Sequence, residues 1–157
     1  MINLTLIILS FFFMEFVAWS THKYVMHGFL WKWHKDHHRL DGKNYSPEIK
    51  ENKQFEKNDL FFLIYAIPAI VLLIIGFATN TSSMIFIGIG ITLYGLTYFI
   101  IHDIIIHGRL RVPFLQNKHH FFMRAVLNAH MAHHMPETKK DFHNYGLLIF
   151  PLRFFKK

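Results

Sequence analysis

Long apolar runs alternate with polar, histidine-rich stretches along this chain. A helix needs about 20 apolar residues to cross the hydrocarbon core of a bilayer. Three runs have about that length, and they extend from Leu4 to Thr21, from Leu60 to Ala78 and from Met84 to Ile101. The segment "TNTSS" between the last two is short and polar, which favours a helical hairpin. The pattern predicts an all-α integral membrane protein with about three transmembrane helices, formed by residues 1–157 as a single domain.

Composition narrows the chemistry that the polar stretches can carry. The chain has no cysteine, which excludes disulfides, thiolate metal sites and iron–sulfur clusters. Any metal must therefore be bound by nitrogen or oxygen. The first apolar run lacks the basic start and small-residue cleavage site of a secretory signal, so we expect it to remain as a membrane anchor.

The basic residues predict an orientation. All 17 Lys and Arg lie in the two polar regions that follow the first and third runs, and the net charge of the chain is +7. By the positive-inside rule, the N-terminus faces outward and both polar regions, with the C-terminus, face the cytoplasm. Nucleic acid is not an expected partner, because the aromatic residues lie in the apolar runs rather than among the basic ones.

Ten of the 13 histidines form two copies of one pattern, H-x4-H followed by H-x2-H-H. Each copy follows an apolar run on the predicted cytoplasmic side. A single histidine at a helix end is commonly a cap or a solvated polar residue, but a repeated spacing of this kind predicts metal binding. The first copy comprises His22, His27, His34, His37 and His38, and the second His102, His107, His130, His133 and His134.

The spacings suggest how these imidazoles are directed. Positions i, i+3 and i+4 share a helix face, so each H-x2-H-H triplet is expected to converge on one point. The H-x4-H residues lie roughly 140° apart on an ideal helix. Either the helix end is distorted, or each pair contacts two metals from different sides; we favour the second interpretation. Ten ligands over two ions give five each and leave one octahedral position open.

Acidic residues near the histidines are candidates to orient them. Asp36 and Asp103 each adjoin a motif histidine and are candidate acceptors for its second ring nitrogen. Glu15 lies inside the first apolar run, where ionisable residues are costly and commonly functional. It precedes the first motif histidine by nearly two helical turns, so we expect it to orient a ligand or to face Tyr98 or Thr97.

Several stretches together resemble a known family. They are "FVAWSTHKYVMHGFLWKWHKDHH" (16–38), "FEKNDLFF" (55–62), "YGLTYFIIHDIIIHGR" (94–109), "AHMAHH" (129–134) and "YGLLIFP" (145–151). The chain resembles the bacterial β-carotene hydroxylases, within the fatty-acid hydroxylase and sterol desaturase group of membrane non-haem di-iron enzymes. The resemblance implies two iron ions on the ten motif histidines, O2 as cosubstrate and electrons from reduced ferredoxin. It further implies hydroxylation of β-carotene at carbon 3 of each ring, in a bacterial inner membrane.

Three histidines lie outside the motifs of that family: His119, His120 and His143. We expect the first two to be exposed on an interfacial stretch, and we leave the role of His143 open, with a position near the metal pocket as one alternative. A carotenoid is expected to lie between the helices with one ring at the metals. Its expected walls are the aromatic residues Trp19, Tyr24, Trp31 and Trp33.

The basic residues around the motifs either attract an acidic donor protein such as ferredoxin or only set the membrane orientation and bind anionic lipid. They are Lys32, Lys35, Arg39, Arg109 and Arg111.

Other functions stay open from the sequence. A fatty-acyl or sterol hydroxylase or desaturase would use the same histidines. A membrane metal transporter would place ligands near the bilayer midplane, and a bis-His haem protein needs one or two axial ligands per haem.

Overall fold

The computed structural model describes residues 2–41, 56–116, 120–136 and 142–155, and within these ranges the chain is predominantly helical with no β-strand. Three helices are long and apolar enough to cross a membrane. This confirms the predicted all-α membrane fold. The observed spans are Ile2–Phe29, Lys57–Ala78 and Ser82–Ile106, each longer than its apolar run.

Each span changes helix type at one end. The first consists of α1, Ile2–Ser20, followed by a π-helical segment, Thr21–Phe29, with non-helical backbone angles at Gly28. The second begins with a 3₁₀ turn, Lys57–Phe62, and continues as α3, Leu63–Ala78. The third continues from α4, Ser82–Tyr98, into a second π-helical segment, Phe99–Ile106. These changes all occur where the spans meet the histidine-rich regions.

Shorter elements complete the chain around the spans. The α-helices after α1 are α2 (Trp31–Asp41), α3 (Leu63–Ala78), α4 (Ser82–Tyr98), α5 (Pro113–Gln116) and α6 (Phe121–His134), and a 3₁₀ turn (Leu152–Phe155) follows α6.

Glycines let α4 approach both neighbouring spans closely. A Cβ at Gly88 would lie 2.9 Å from Leu73 Cγ of α3. A Cβ at Gly90 would lie 1.9 Å from Ser10 Oγ of α1. Small residues at such contacts are typical of helix packing in membranes. α4 is therefore the central helix of the three, between α1 and α3.

The outer faces of the spans carry exposed apolar side chains, such as Phe13 (61% exposed), Ile74 (63%) and Phe77 (65%). In a bilayer these positions face lipid. The interior contact among the three spans includes Met14, Tyr65 and Tyr94. A second cluster, including Ile106, Val126 and Leu147, joins the end of the third span to α6 and to the segment after residue 142. Between them, these contacts hold the histidine-bearing helix ends together.

Candidate metal centre

The π-helical segments bring each H-x4-H pair onto one side of its helix. A π-helix closes with i→i+5 hydrogen bonds, and the backbone N–H of His107 donates to the carbonyl of His102 at 3.0 Å. The ring centroids are 5.1 Å apart for His22 and His27 and 4.5 Å apart for His102 and His107. The interpretation that these pairs contact two metals from different sides is wrong. The alternative, a distorted helix end, is what the structure contains.

The H-x2-H-H triplets are divided instead. In α2, His34 and His38 belong to one cluster of imidazoles and His37 to another. Since successive residues of an α-helix are rotated by about 100°, the i and i+4 rings share a direction that the i+3 ring need not share. In α6, His133 likewise separates from His130 and His134. The expectation that each triplet converges on one point is wrong.

Nine motif histidines form two groups, each with ligand nitrogens within 4.8 Å of one another. The tenth, His102, lies beside the second group, with its ring centroid 4.5 Å from His107 and 4.9 Å from His130. The rings of His38 and His134 stack at 4.4 Å and join the two groups. The first group is His22, His27, His34, His38 and His133, and the second is His37, His107, His130 and His134.

Oxygen acceptors orient three imidazoles of the first group. Nδ1 of His22 donates to the carbonyl of Tyr145 at 2.9 Å. Nδ1 of His133 donates to the carbonyl of His143 at 2.7 Å, and Nδ1 of His34 donates to Asn58 Oδ1 at 2.6 Å. These oxygens can only accept, so the ring proton lies on Nδ1 and Nε2 carries a lone pair. This is the form of imidazole that binds a metal.

The Nε2 atoms of the first group then face one another. The Nε2–Nε2 distance is 3.1 Å for His22 and His34, and 3.0 Å for His38 and His34. It is 3.0 Å for His27 and His133. With both protons on Nδ1, the lone pairs of His22 and His34 repel unless a cation lies between them. Two nitrogens at right angles, each about 2.1 Å from an ion, would be about 3.0 Å apart, so the donors fit a metal.

Around the second group the acceptors beside the Nδ1 atoms are carboxylates, whereas around the first group two of them are backbone carbonyls. Nδ1 of His37 lies 3.3 Å from Glu56 Oε2, and Nδ1 of His102 lies 3.2 Å from Asp103 Oδ1. Nε2 of His107 faces Nε2 of His130 at 3.1 Å. Nε2 of His37 is buried and has no hydrogen-bond partner among the described residues. The second group thus also offers buried nitrogen donors that fit a metal ion.

Burial keeps the imidazoles of both helices α2 and α6 neutral. Burial is the main cause that lowers the pKa of His34 and of His133 below the ordinary histidine value. It lowers the pKa values of His37, His130 and His134 as well, and the neighbouring imidazoles add to the effect in these three. A neutral imidazole has the free lone pair that metal binding requires.

Arg109 holds the carboxylates of the second group in place. Its Nη2 lies 2.9 Å from Glu56 Oε2, its Nη1 contacts Asp59 Oδ1, and its Nε lies 3.7 Å from Asp103 Oδ1. The side chain is 18% exposed. Its guanidinium is turned toward these three acids, and the expected attraction of a donor protein by Arg109 stays a prediction.

Glu15 is buried in the first span and is 2% exposed. Its Oε1 accepts the backbone N–H groups of 147–149 at 2.8, 2.8 and 3.0 Å, and its Oε2 accepts the Tyr94 hydroxyl at 2.7 Å. The expected partners were wrong, since Thr97 donates to the backbone of its own helix and Tyr98 stacks on His102 at 4.7 Å.

Through these bonds Glu15 fixes the segment 142–150, which we call the C-terminal strap. A Cβ at Gly146 would lie 2.8 Å from Glu15 Oε1, so the strap approaches the carboxylate closely. The same strap supplies the Tyr145 and His143 carbonyls that orient His22 and His133. Glu15 is thus connected through the strap to His22 and His133, and the expectation that it orients a metal ligand stays a prediction.

An apolar cavity of about 560 Å³ adjoins the first group and His102. It lies between α3 and α4, and His34 and His102 form part of its wall. The four aromatic residues expected as substrate walls, at positions 19, 24, 31 and 33, do not line it.

Comparison with known proteins shows the family to which the chain belongs. The chain matches the fatty acid hydroxylase family over residues 7–155. It belongs to that family. The curated β-carotene hydroxylase of Pseudescherichia vulneris is 34% identical over 148 residues, which cover 94% of this chain and 77% of the relative. The β-carotene hydroxylase of Paracoccus sp. (strain N81106 / MBIC 01143) is 32% identical, covering 96% of this chain and 86% of the relative.

A plant relative shows the same similarity over part of its length. The chloroplastic β-carotene 3-hydroxylase 2 of Arabidopsis thaliana is 34% identical over 88% of this chain and 42% of the relative. No solved structure matches the chain significantly.

The residues that orient the histidines of this chain were mostly missed from the sequence. Glu56, Asn58 and Asp59 all lie in the stretch "FEKNDLFF", directly before the second span, where three polar acceptors in four residues were a usable signal. The backbone carbonyls of the C-terminal strap leave no mark in the sequence. Asp103 was predicted correctly as the acceptor beside His102.

The remaining predicted residues have separate outcomes. The side chains of Asp36 and Arg39 and the whole of His119 lie outside the described residues. His120 is exposed, as expected, immediately before α6. His143 reaches the centre through its backbone carbonyl.

Proposed function

We propose that this chain hydroxylates carotenoids at carbon 3 of the β-ionone ring, converting β-carotene to zeaxanthin through β-cryptoxanthin. The observation that carries the proposal is the pair of convergent histidine groups, together with an apolar cavity between two membrane spans that is lined by His34 and His102. The names of the similar bacterial and plant proteins support the choice of substrate.

Two iron ions are the cofactors that we assign to the two groups. The first group would bind one ion through five imidazoles, and the second would bind the other through four, with His102 as the fifth. An aliphatic C–H bond resists acids and bases, so its oxidation requires a redox cofactor. Iron, unlike zinc, can pass electrons to O2. This supports iron for histidine sites that would also suit other metals.

The overall reaction consumes one O2, two electrons and two protons for each hydroxyl group. One oxygen atom enters the C–H bond and the other leaves as water. The protein's own residues position the ring and exclude water, and the oriented imidazoles keep their metal-binding nitrogens free of protons. We assign the electrons to reduced ferredoxin.

The location that we propose is a bacterial inner membrane, with the N-terminus outside and the metal groups and C-terminus in the cytoplasm. The positions of all 17 basic residues after the first and third apolar runs support this orientation. The clustering of the histidines at the ends of the spans argues against a transporter with a midplane site.

Expression in a β-carotene-producing bacterium, followed by pigment chromatography, tests the function. We expect wild-type cells to accumulate zeaxanthin and the purified protein to contain about two irons per chain. His134→Ala should abolish the product, because it removes a buried imidazole of the second group. His120→Ala, at an exposed position, should retain most of it. Unchanged β-carotene in wild-type cells, or zinc with full activity, would contradict the proposal.

A further inference from the structure

The cavity between α3 and α4 is continuous with the lipid-facing surface. Four of its lining residues are also exposed on the outer faces of the helices: Phe62, Ile70, Leu96 and Phe99. Their exposed fractions are 56%, 54%, 53% and 40%. Since the outside of these spans is hydrocarbon in a membrane, the cavity opens sideways into the bilayer rather than into water.

The inner end of the cavity reaches the metal centre. His34 of the first group and His102 beside the second group both lie in its wall. Between this end and the opening, the wall is formed by buried apolar side chains such as Phe61, Ala69 and Ile91. A molecule that enters from the lipid would therefore have its leading end at the metals.

The amide and charged groups of the wall already have partners within the protein. Asn58 Oδ1 accepts from His34, and Asp59 is paired with Arg109. Asp103 accepts from His102 and also lies near Arg109. A ligand therefore needs no charged group to satisfy these side chains, and a hydrocarbon ring suits the largely apolar wall.

We propose that this cavity binds one ring end of a carotenoid, which enters laterally from the bilayer between α3 and α4. The assignment rests on the proposed function for the identity of its occupant. A volume of about 560 Å³ is within the range of ligand sites. A C40 polyene is about as long as the hydrocarbon core is thick, about 30 Å, so the rest of the pigment stays in lipid. The two rings must then enter in turn.

Gly95 offers a way to close the cavity without disturbing the fold. It lines the cavity, and a Cβ added there would meet no atom within 4 Å. It lies in α4, where replacing glycine by leucine favours the helix. Gly95→Leu should therefore place a side chain inside the cavity, obstruct it and leave the packing intact. Leu93→Phe is the matched control, because Leu93 is 44% exposed on the same helix and does not line the cavity.

Visible circular dichroism of β-carotene in nanodiscs measures binding directly. The pigment is achiral, so a band appears only when a chiral site holds it. We expect a band with purified wild-type protein in the absence of reductant, at least tenfold weaker for Gly95→Leu and unchanged for Leu93→Phe. Metal content should be equal in all three proteins. Pigment-producing cells with Gly95→Leu should contain at least tenfold less hydroxylated product than cells with the wild-type protein.

The outcomes separate this site from the proposed function. A band that is present in wild type and unchanged in Gly95→Leu would overturn the cavity assignment, as would the absence of any band in wild type. A normal band in wild type without hydroxylated pigment in cells would refute the proposed function and leave the binding site standing. Equal loss of the band in Leu93→Phe would refute the role of the cavity, since that side chain faces lipid.

Discussion

Glu15 illustrates how a single buried charge can organise a distant site. A carboxylate inside a membrane span is costly unless it is paired, and here four donors surround it. Three of those donors are backbone groups of the C-terminal strap, whose carbonyls orient His22 and His133. The charge is thus compensated by ordering a segment that the metal ligands require.

Replacing Glu15 should therefore affect the first histidine group selectively. A hydrogen bond to a charged group contributes about 1.5–3 kcal/mol, and Glu15→Leu removes all of those formed by this side chain. We expect Glu15→Leu to bind about one metal ion per chain instead of two, measured by elemental analysis after gel filtration. Glu15→Gln keeps an acceptor oxygen and should recover part of the loss. Tyr94→Phe keeps the three strap bonds, so its metal content should match wild type. Two tightly bound ions in Glu15→Leu would contradict the positioning role.

Arg109 has the corresponding role for the second group. Arg109→Ala leaves three carboxylates without their shared cation, and Glu56 among them is only 9% exposed. We expect Arg109→Ala to lower the free energy of unfolding by about 2–3 kcal/mol. This is near the lower end for breaking a buried ion pair, because the arginine is partly exposed. The measurements are thermal unfolding in detergent and metal content.

Two further variants separate pairing from net charge. Arg109→Lys should recover only part of the loss, because one ammonium cannot reach three acids as a guanidinium does. Arg111→Ala removes the same charge at an exposed position and should unfold like wild type. If Arg111→Ala were destabilised as much as Arg109→Ala, the network would not be the cause.

At the scale of elements, the π-helical segments explain the H-x4-H spacing. The spacing is informative because it does not suit an α-helix. It is consistent with a distorted helix end and with a pair that contacts two metals from different sides, and the structure contains the first. What decides between them is the contact of His27 with His133, which is 106 positions away. Local periodicity contains no information about such a contact. The expected convergence of each H-x2-H-H triplet was wrong for the same reason. Histidines on other helices determine which group each member of a triplet joins.

Register within the first π-helical segment should matter more than its side chains. Deleting Tyr24 would convert H-x4-H to H-x3-H and rotate α2 by about 100° relative to α1. His34 and His38 would then leave the first group, so we expect at most half of the bound metal and no hydroxylation. Tyr24→Ala keeps the register and removes a side chain that is 58% exposed. It should retain wild-type metal content. Normal metal content in the deletion variant would show that the segment adapts its register freely.

For the whole molecule, the apolar runs were sufficient to predict the three spans, because hydrophobic length is a local property. The spans are longer than the runs, since the π-helical ends include polar residues that a run excludes. The ten histidines were identified by spacing alone, but their division into groups and their acceptors depend on how four separate helix ends meet. The cavity was not predictable for the same reason, as it lies between two helices whose contact is set by glycines.

The charge of the whole molecule leads to a prediction about its electron donor. The net charge is +7, and Lys32, Lys35 and Arg111 are exposed close in sequence to metal-group histidines. An acidic ferredoxin should be attracted to such a surface. Because exposed charges are screened over about 10 Å at 0.1 M salt, donor-supported turnover at limiting ferredoxin should fall as salt rises.

Charge reversal distinguishes docking from a general effect of net charge. Lys35→Glu should raise the apparent KM for ferredoxin severalfold without changing metal content, because it places a like charge where the donor approaches. Arg153→Glu makes the same change in net charge at an exposed position in the last 3₁₀ turn and serves as the control. The assay uses nanodiscs of neutral lipid, so that anionic headgroups do not compete for the basic residues. Equal KM values for both variants would mean that ferredoxin binding depends on the overall charge of the protein and not on the position of Lys35. Turnover that is indifferent to salt and to both reversals would leave these residues with the single role of setting membrane orientation.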